Sequence, residues 1–302
     1  MSEEAGRSCP LRYRYGTEAI AALSAVEAET LYVIGGLYGN LPALDAIEAM
    51  AAQETGPVML VFNGDFNWFN VDDAGFAEIN RRVLAHRATA GNVEAELGAD
   101  GDAAGCGCAY PEYVDSAVVE RSNRIHARLK QTAARHPEIL AALAELPMIA
   151  RYRVADCSIG IVHGDADSLA GWRFDPGAFD QKNAPAWLHN AFKRAKVDVF
   201  ASTHTCTPIF KHIDAGLLSN NGAAGMPNLG GQQSGLLTRV SCHPPKGARH
   251  AGATMRGAYV DQIPIHYDHS AWRDRFLANW PVGSDAWLSY FERISSWPSD
   301  PQ

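Results

Sequence analysis

"LYVIGGLYGNLPALDAIEAMAAQ" (residues 31–53) opens on four apolar residues, turns through glycines at 35, 36 and 39, and runs on with apolar residues at helical spacing. A strand that passes through a glycine-rich turn into a helix is the building unit of an α/β sheet. Three further runs repeat its opening: "VMLVF" (58–62), "SIGIV" (158–162) and "VDVFA" (197–201), each followed by small or polar residues. They predict buried strands. Helical spacing recurs in "LPALDAIEAMAAQ", in "DAGFAEINRRVLAHR", in the long stretch from Asp115 to Leu146 and in "PAWLHNAFKRAK". Pro42 and Pro185 stand near first-turn positions, and Asp115 suits an N-cap. After residue 205 the runs shorten to "IFKHI", "LLSN", "SGLLTRVS" and "YVDQIPIHY", before two helical patterns rich in Trp and Phe. The expectation is one α/β unit over residues 1–302.

Composition narrows the function. The chain has 302 residues, 47% hydrophobic and 20% charged, enough for one large core without a second full domain. Net charge is −8 with Lys and Arg scattered, so no binding of a nucleic-acid backbone is expected. No apolar run approaches a membrane span, and the first 30 residues lack a basic segment followed by a long apolar one, so the expectation is a cytoplasmic protein without a membrane partner. Cysteines at 9, 106, 108, 157, 206 and 242 form no small secreted framework and are expected as thiols.

Ligands of open α/β sheets bind beyond the carboxyl ends of the strands. Asp65 follows "VMLVFNG", Asn92 follows "ATAG", His163 follows "SIGIV" and His204 follows "VDVFAST". Singly, each has a plainer reading: a turn cap for Asp65, a turn after Gly91 for Asn92, a hydrogen-bonded core residue for either histidine. Together they make one carboxylate, one amide oxygen and two imidazoles, a donor set for one divalent transition metal (Mn, Fe or Zn) rather than for Mg alone.

Order and local wording over about residues 31–228 resemble the calcineurin-like metallophosphoesterase superfamily. That family has D-x-H-G-N, G-D, G-N-H-[DE], an apolar strand ending H-G, G-H-x-H-x-P and an N-x-G segment. This chain offers "GLYGN" (36–40), "GD" (64–65), "GNVE" (91–94), "IVHG" (161–164), "THTCTP" (203–208) and "NNGAAGMP" (220–227). The resemblance implies a four-layer α-β-β-α sandwich of two mixed sheets flanked by helices. Its metal centre lies at one edge, with an insertion at about 95–148 and a C-terminal helical extension at about 268–298.

The departures are selective. One metal site of the family maps onto Asp65, Asn92, His163 and His204, all present. The other maps onto Gly36, Tyr38, Asp65 and Cys206, where only the bridging aspartate survives. The histidine thought to assist the leaving group is Val93 here; Glu94 beside it and Tyr38 are the candidate catalytic side chains, and no catalytic residue is certain. The resemblance implies a one-metal phosphoesterase acting on a small phosphorylated or nucleotide-like molecule, its second metal doubtful. Two alternatives stay open: a catalytically degenerate homologue that binds a metal or ligand and acts through a protein partner, and a mononuclear metal and thiol enzyme of redox or lyase type.

Smaller features have two readings each. The glycine turn either presents N–H groups to a phosphate or only bends the chain, with Tyr38 filling the gap. Cys206 with Cys106 or Cys108 forms a thiol site, or all three are inert. Asp165 and Asp167 orient His163, or cap the next turn. Arg121, Arg124 and Arg128 steer an anion, or make a solvated helix face.

Overall fold

The computed structural model describes residues 4–99, 103–180, 184–229 and 231–296. The tip of the loop 98–111, at residues 100–102, and the last residues of the C-terminal extension lie outside them. Twelve strands run in chain order: β1 Val26–Glu27, β2 Thr30–Ile34, β3 Val58–Asn63, β4 Arg87–Thr89, β5 Ile149–Val154, β6 Cys157–Val162, β7 Val199–Ser202, β8 Pro208–Ile213, β9 Gly216–Asn221, β10 Gly235–Ser241, β11 Ala251–Met255 and β12 Ala258–Ile265. The helices are α1 Thr17–Ala22, α2 Leu41–Ala52, α3 Asp73–Val83, α4 Asn92–Leu97, α5 Ser116–Ala133, α6 Pro137–Ala144, α7 Ala184–Ala195, α8 His269–Asn279 and α9 Asp285–Ser296.

The strands form two mixed six-stranded sheets, ordered β1-β5-β6-β7-β9-β8 and β11-β12-β10-β2-β3-β4. Strand β2 shows how the layers arise, because successive side chains of a strand face opposite ways. Leu31 and Val33 pack with Ile159, Ile161 and Val199 of the other sheet. Tyr32 and Ile34 pack with Leu44 and Ile47 of α2 and with Phe76 and Ile79 of α3. On the far side, Leu188 and Phe192 of α7 and Ile20 of α1 cover Val162, Phe200 and Leu218. Two sheets face to face with helices outside make the expected α-β-β-α sandwich.

Local signals placed most elements. Asn40 caps α2 through Oδ1, which accepts the Ala43 N–H at 2.9 Å, and Pro42 sits in its first turn. Asp115 caps α5, as its position suggested. The long helical stretch divides at Pro137, which disfavours helical geometry at His136 and starts α6. Arginines 121, 124 and 128 lie on a largely solvated helix face and also reach the C-terminal segment: Arg121 donates to Ser289 Oγ, Arg124 pairs with Asp285, and Arg128 lies 4.5 Å from the Trp280 ring centroid. They dock the C-terminal helices.

One ion pair lies deep beside the second sheet. Arg239 on β10, 1% exposed, reaches Glu54 with Nε at 2.5 Å and Nη2 at 2.9 Å, and Tyr32 Oη also donates to Glu54 at 2.7 Å. Removing one partner of a buried pair leaves the other charge uncompensated. Arg239→Met is therefore expected to lower unfolding stability by about 3 kcal/mol. A denaturant titration of the two proteins checks it, and an unchanged midpoint would contradict it.

Candidate metal centre

Four strands end at one place. Asp65 stands two residues after β3, Asn92 three after β4, His163 directly after β6 and His204 two after β7. All four side chains are buried. One ligand atom each from Asp65, His163 and His204 lies within 4.8 Å of the others, the one such cluster of His, Cys, Asp and Glu among the described residues. Asn92 joins them, its Oδ1 3.2 Å from His163 Nε2. Asp65 Oδ2 stands 3.4 Å from the same nitrogen.

The backbone forces this convergence. Asp65 holds φ 54° and Gly64 before it φ 75°, left-handed geometry that aspartate tolerates better than most side chains. A Cβ on Gly64 would fall 2.4 Å from Gly91 backbone, and one on Gly91 would fall 2.3 Å from Asp65 Oδ1. These two glycines let the Asp65 and Asn92 loops touch. Glu94 sits behind them, where its carboxylate accepts the N–H groups of Asp65 at 2.8 Å, Phe66 at 3.1 Å and Gly91 at 3.2 Å. Burial, with the Asp65 charge next, raises its pKa. The carboxylate ties the two loops together.

Each imidazole is held by its far nitrogen. His163 Nδ1 lies 2.8 Å from the Asn63 carbonyl, which leaves Nε2 toward Asp65 and Asn92. His204 Nε2 lies 3.0 Å from the Cys108 carbonyl, and its buried Nδ1 has no hydrogen-bond partner. Burial and the neighbouring His163 push the His204 pKa down to about 3, so this ring is neutral with a free lone pair. Burial opposes the charge on Asp65, yet the charge and hydrogen bond of His163 hold the carboxyl below its usual range. A carboxylate, an amide oxygen and two imidazole nitrogens of this kind fit one divalent transition ion.

No protein-family model and no curated protein matches the chain. Solved structures do match it. A hypothetical protein from Pyrococcus horikoshii OT3 aligns with a TM-score of 0.59 at 17% identity, over 86% of this chain and 97% of that one. A metallophosphoesterase from Sphaerobacter thermophilus aligns with a TM-score of 0.56 at 15% identity, over 90% and 99%. This is the calcineurin-like metallophosphoesterase fold. At such identities the likeness is one of fold.

Within the metallophosphoesterase fold, the second set of positions holds something else. Tyr38 Oη and Cys206 Sγ are 2.8 Å apart, with both residues at left-handed φ, 55° and 56°. A Cβ on Gly36 would meet the Tyr38 ring at 2.9 Å. The phenol thus occupies the room a side chain at 36 would need. Burial raises the pKa of both groups, so Tyr38 stays a phenol and Cys206 a thiol. Most of the turn's N–H groups are already engaged: those of Gly36, Tyr38, Gly39 and Asn40 go to the carbonyls of Gly64, Asp65, Phe66 and Leu37.

The side chains of the other sequence candidates do not hydrogen-bond the two imidazoles. Asp165 Oδ1 accepts the N–H of Asp167 and of Ser168, while Asp167 pairs with Arg173 and Trp187 Nε1. Both serve the loop after β6, and neither touches His163. Cys106, Cys108 and Cys206 are free thiols outside the Asp65 cluster. Sequence reasoning missed the walls. A chamber of about 180 Å³ beside Asp65, Asn92 and His204 is lined by Trp68, Tyr110, Trp172 and Tyr290. An open groove of about 1,170 Å³ meets it at Trp172 and Thr205 and adds Tyr113, Arg173 and Trp187. Aromatic residues dispersed over the chain carried no spacing signal.

Proposed function

We propose that this chain is a phosphoesterase working through a single metal site formed by Asp65, Asn92, His163 and His204. The observation that carries the reading is the buried, unpartnered Nδ1 of His204, on a residue that clusters with Asp65 and His163. A buried polar atom without a partner is costly unless something binds it. One divalent ion held there would polarise a phosphoryl oxygen and lower the pKa of a water. No Lys or Arg lines the chamber among the described residues, so against the carboxylates of Asp65 and, behind it, Glu94, a divalent ion leaves at most one net positive charge. That balance suits a singly charged phosphodiester better than a doubly charged monoester.

The protein's proton donors set the second condition. Val93 cannot donate, the Glu94 carboxylate is taken up by backbone N–H groups, and Tyr38 is engaged with Cys206. The reading therefore calls for a leaving group that departs without strong acid help. An aryl or nucleotide-like diester meets both conditions, its phosphate in the small chamber and its body in the groove. The test is turnover of an aryl phosphodiester and the matching monoester by Mn²⁺-, Zn²⁺- or Fe²⁺-loaded protein. The diester is expected to turn over at least tenfold faster, with His204→Ala abolishing it. A loaded protein inert to both supports the second reading, a ligand-binding homologue that acts through a protein partner, which the Tyr38–Cys206 filling of the other site favours.

A further inference from the structure

The loop 103–111 has no counterpart among the motifs of the phosphoesterase pattern, yet two of its backbone carbonyls end on two of the proposed ligands. Asn92 Nδ2 donates to the Cys106 carbonyl at 2.9 Å. His204 Nε2 meets the Cys108 carbonyl at 3.0 Å, and the same oxygen accepts Trp172 Nε1 at 2.9 Å. Each contact decides which atom is left for an ion. An asparagine whose NH₂ is committed to a carbonyl must turn its Oδ1 the other way, and a histidine that donates from Nε2 keeps the lone pair on Nδ1. Among the described residues, the only other group that meets Asn92 Nδ2 is the Cys108 thiol at 3.5 Å, on the same loop.

The loop has the shape for it and is locked in that shape. Gly105, Gly107 and Ala109 hold φ 60°, 67° and 49°, alternating with the two cysteines whose carbonyls converge. A Cβ on Gly107 would fall 2.5 Å from Tyr13 Oη and 2.7 Å from Glu96 Cγ. On the outer side, one residue of α5 fastens the loop and the N-terminal segment together. Asn123 Oδ1 accepts the Cys106 N–H at 3.0 Å, and Asn123 Nδ2 donates to the Ala5 carbonyl at 2.9 Å. Added Cβ atoms at Gly6 and Gly105 would fall 2.7 Å and 2.2 Å from Asn123 Oδ1. Gly6 in turn donates to the Ala104 carbonyl and accepts from the Tyr110 N–H, each at 2.9 Å.

We propose that Asn123 is a positioning residue of the metal centre: it holds the Cys106–Cys108 segment so that two carbonyls aim Asn92 Oδ1 and His204 Nδ1 at one ion. This rests on the single-metal reading above. The cysteines act here mainly through their backbone oxygens, the one thiol contact being a long one from Asn92 Nδ2 to Cys108 Sγ at 3.5 Å, so their thiols are dispensable. That separates the idea from a thiolate site.

The test uses the full chain and reads metal binding rather than turnover. Dissociation constants for Zn²⁺ and Co²⁺ are measured by chelator competition, with the visible absorption band of the Co²⁺ form and the melting temperature of the metal-free protein alongside. Asn123→Ala is expected to bind about ten- to a hundredfold more weakly and to shift the Co²⁺ band, the range seen when groups that orient metal ligands are removed. Asn123→Asp, which keeps an acceptor for the Cys106 N–H, recovers part of the loss. Cys106→Ala and Cys108→Ala bind like the parent. If Asn123→Ala does not fold, Asn123→Ser takes its place under the same criteria.

Two results overturn the proposal while leaving the metal site standing: Asn123→Ala with parental affinity and band, or Cys→Ala variants that lose the ion as Asn123→Ala does. Gly98→Ala is the control for loop substitution in general, because a Cβ there meets nothing within 4 Å. A parent chain that binds neither Zn²⁺ nor Co²⁺ overturns the single-metal reading together with this one.

Discussion

Protein carrying Asp65→Asn is expected to purify with almost no transition metal, where the parent carries about one ion per chain. The substitution is nearly isosteric, and asparagine tolerates the left-handed φ of 54° at this position. The loop therefore has no steric reason to move. What changes is charge. Asp65 supplies the one carboxylate of the cluster, held ionised against burial chiefly by His163. Without it, a divalent ion in a buried chamber faces only neutral donors, and burying uncompensated charge is strongly unfavourable. His204→Ala should lose the ion as well, because it removes the unpartnered Nδ1. Elemental mass spectrometry on protein purified without added metal or chelator reads the stoichiometry, and circular dichroism reads the fold. Full metal content in Asp65→Asn would place the ion elsewhere.

Much of this site was legible in the sequence because its side chains follow strands that announce themselves. β2, β3, β6 and β7 are short runs of apolar residues buried on both faces, and such runs end where the sheet ends. Their polar successors, Asp65, His163 and His204, therefore converge on one sheet edge. Other strands were hidden for physical reasons. β4 has three residues and reads as the tail of α3, while the apolar run of β5, "IARYRV", is interrupted by arginines. The break at Pro137 was present in "HPE" but was outweighed by apolar spacing on both sides.

What the sequence could not carry is the support of the site. The acceptors for His163, Asn92 and His204 are the carbonyls of Asn63, Cys106 and Cys108, and a backbone oxygen has no residue type to recognise. Glu94 was legible as an acid. Only the structure places its carboxylate on three N–H groups, within 3.2 Å of each, that knit the Asp65 and Asn92 loops. Asp165 fails in the opposite direction: adjacency to His163 in sequence suggested contact, but the turn after β6 carries its side chain round to its own loop.

The second set of metal positions is expected to be recoverable, though only when all three residues change together. Gly36→Asp alone should destabilise the fold, since its Cβ would press the Tyr38 ring at 2.9 Å and a non-glycine residue at φ 66° costs about 1 kcal/mol. Tyr38→His removes that ring, and Cys206→His replaces a thiol that stays protonated with an imidazole that does not need to lose a proton. Positions 36, 38 and 206 all hold left-handed backbone, the conformation in which aspartate and histidine are among the better tolerated side chains. In the Gly36→Asp, Tyr38→His, Cys206→His variant, metal content should rise from about one ion per chain to about two, with melting temperature recovering relative to Gly36→Asp alone. A content that stays at one would contradict this expectation.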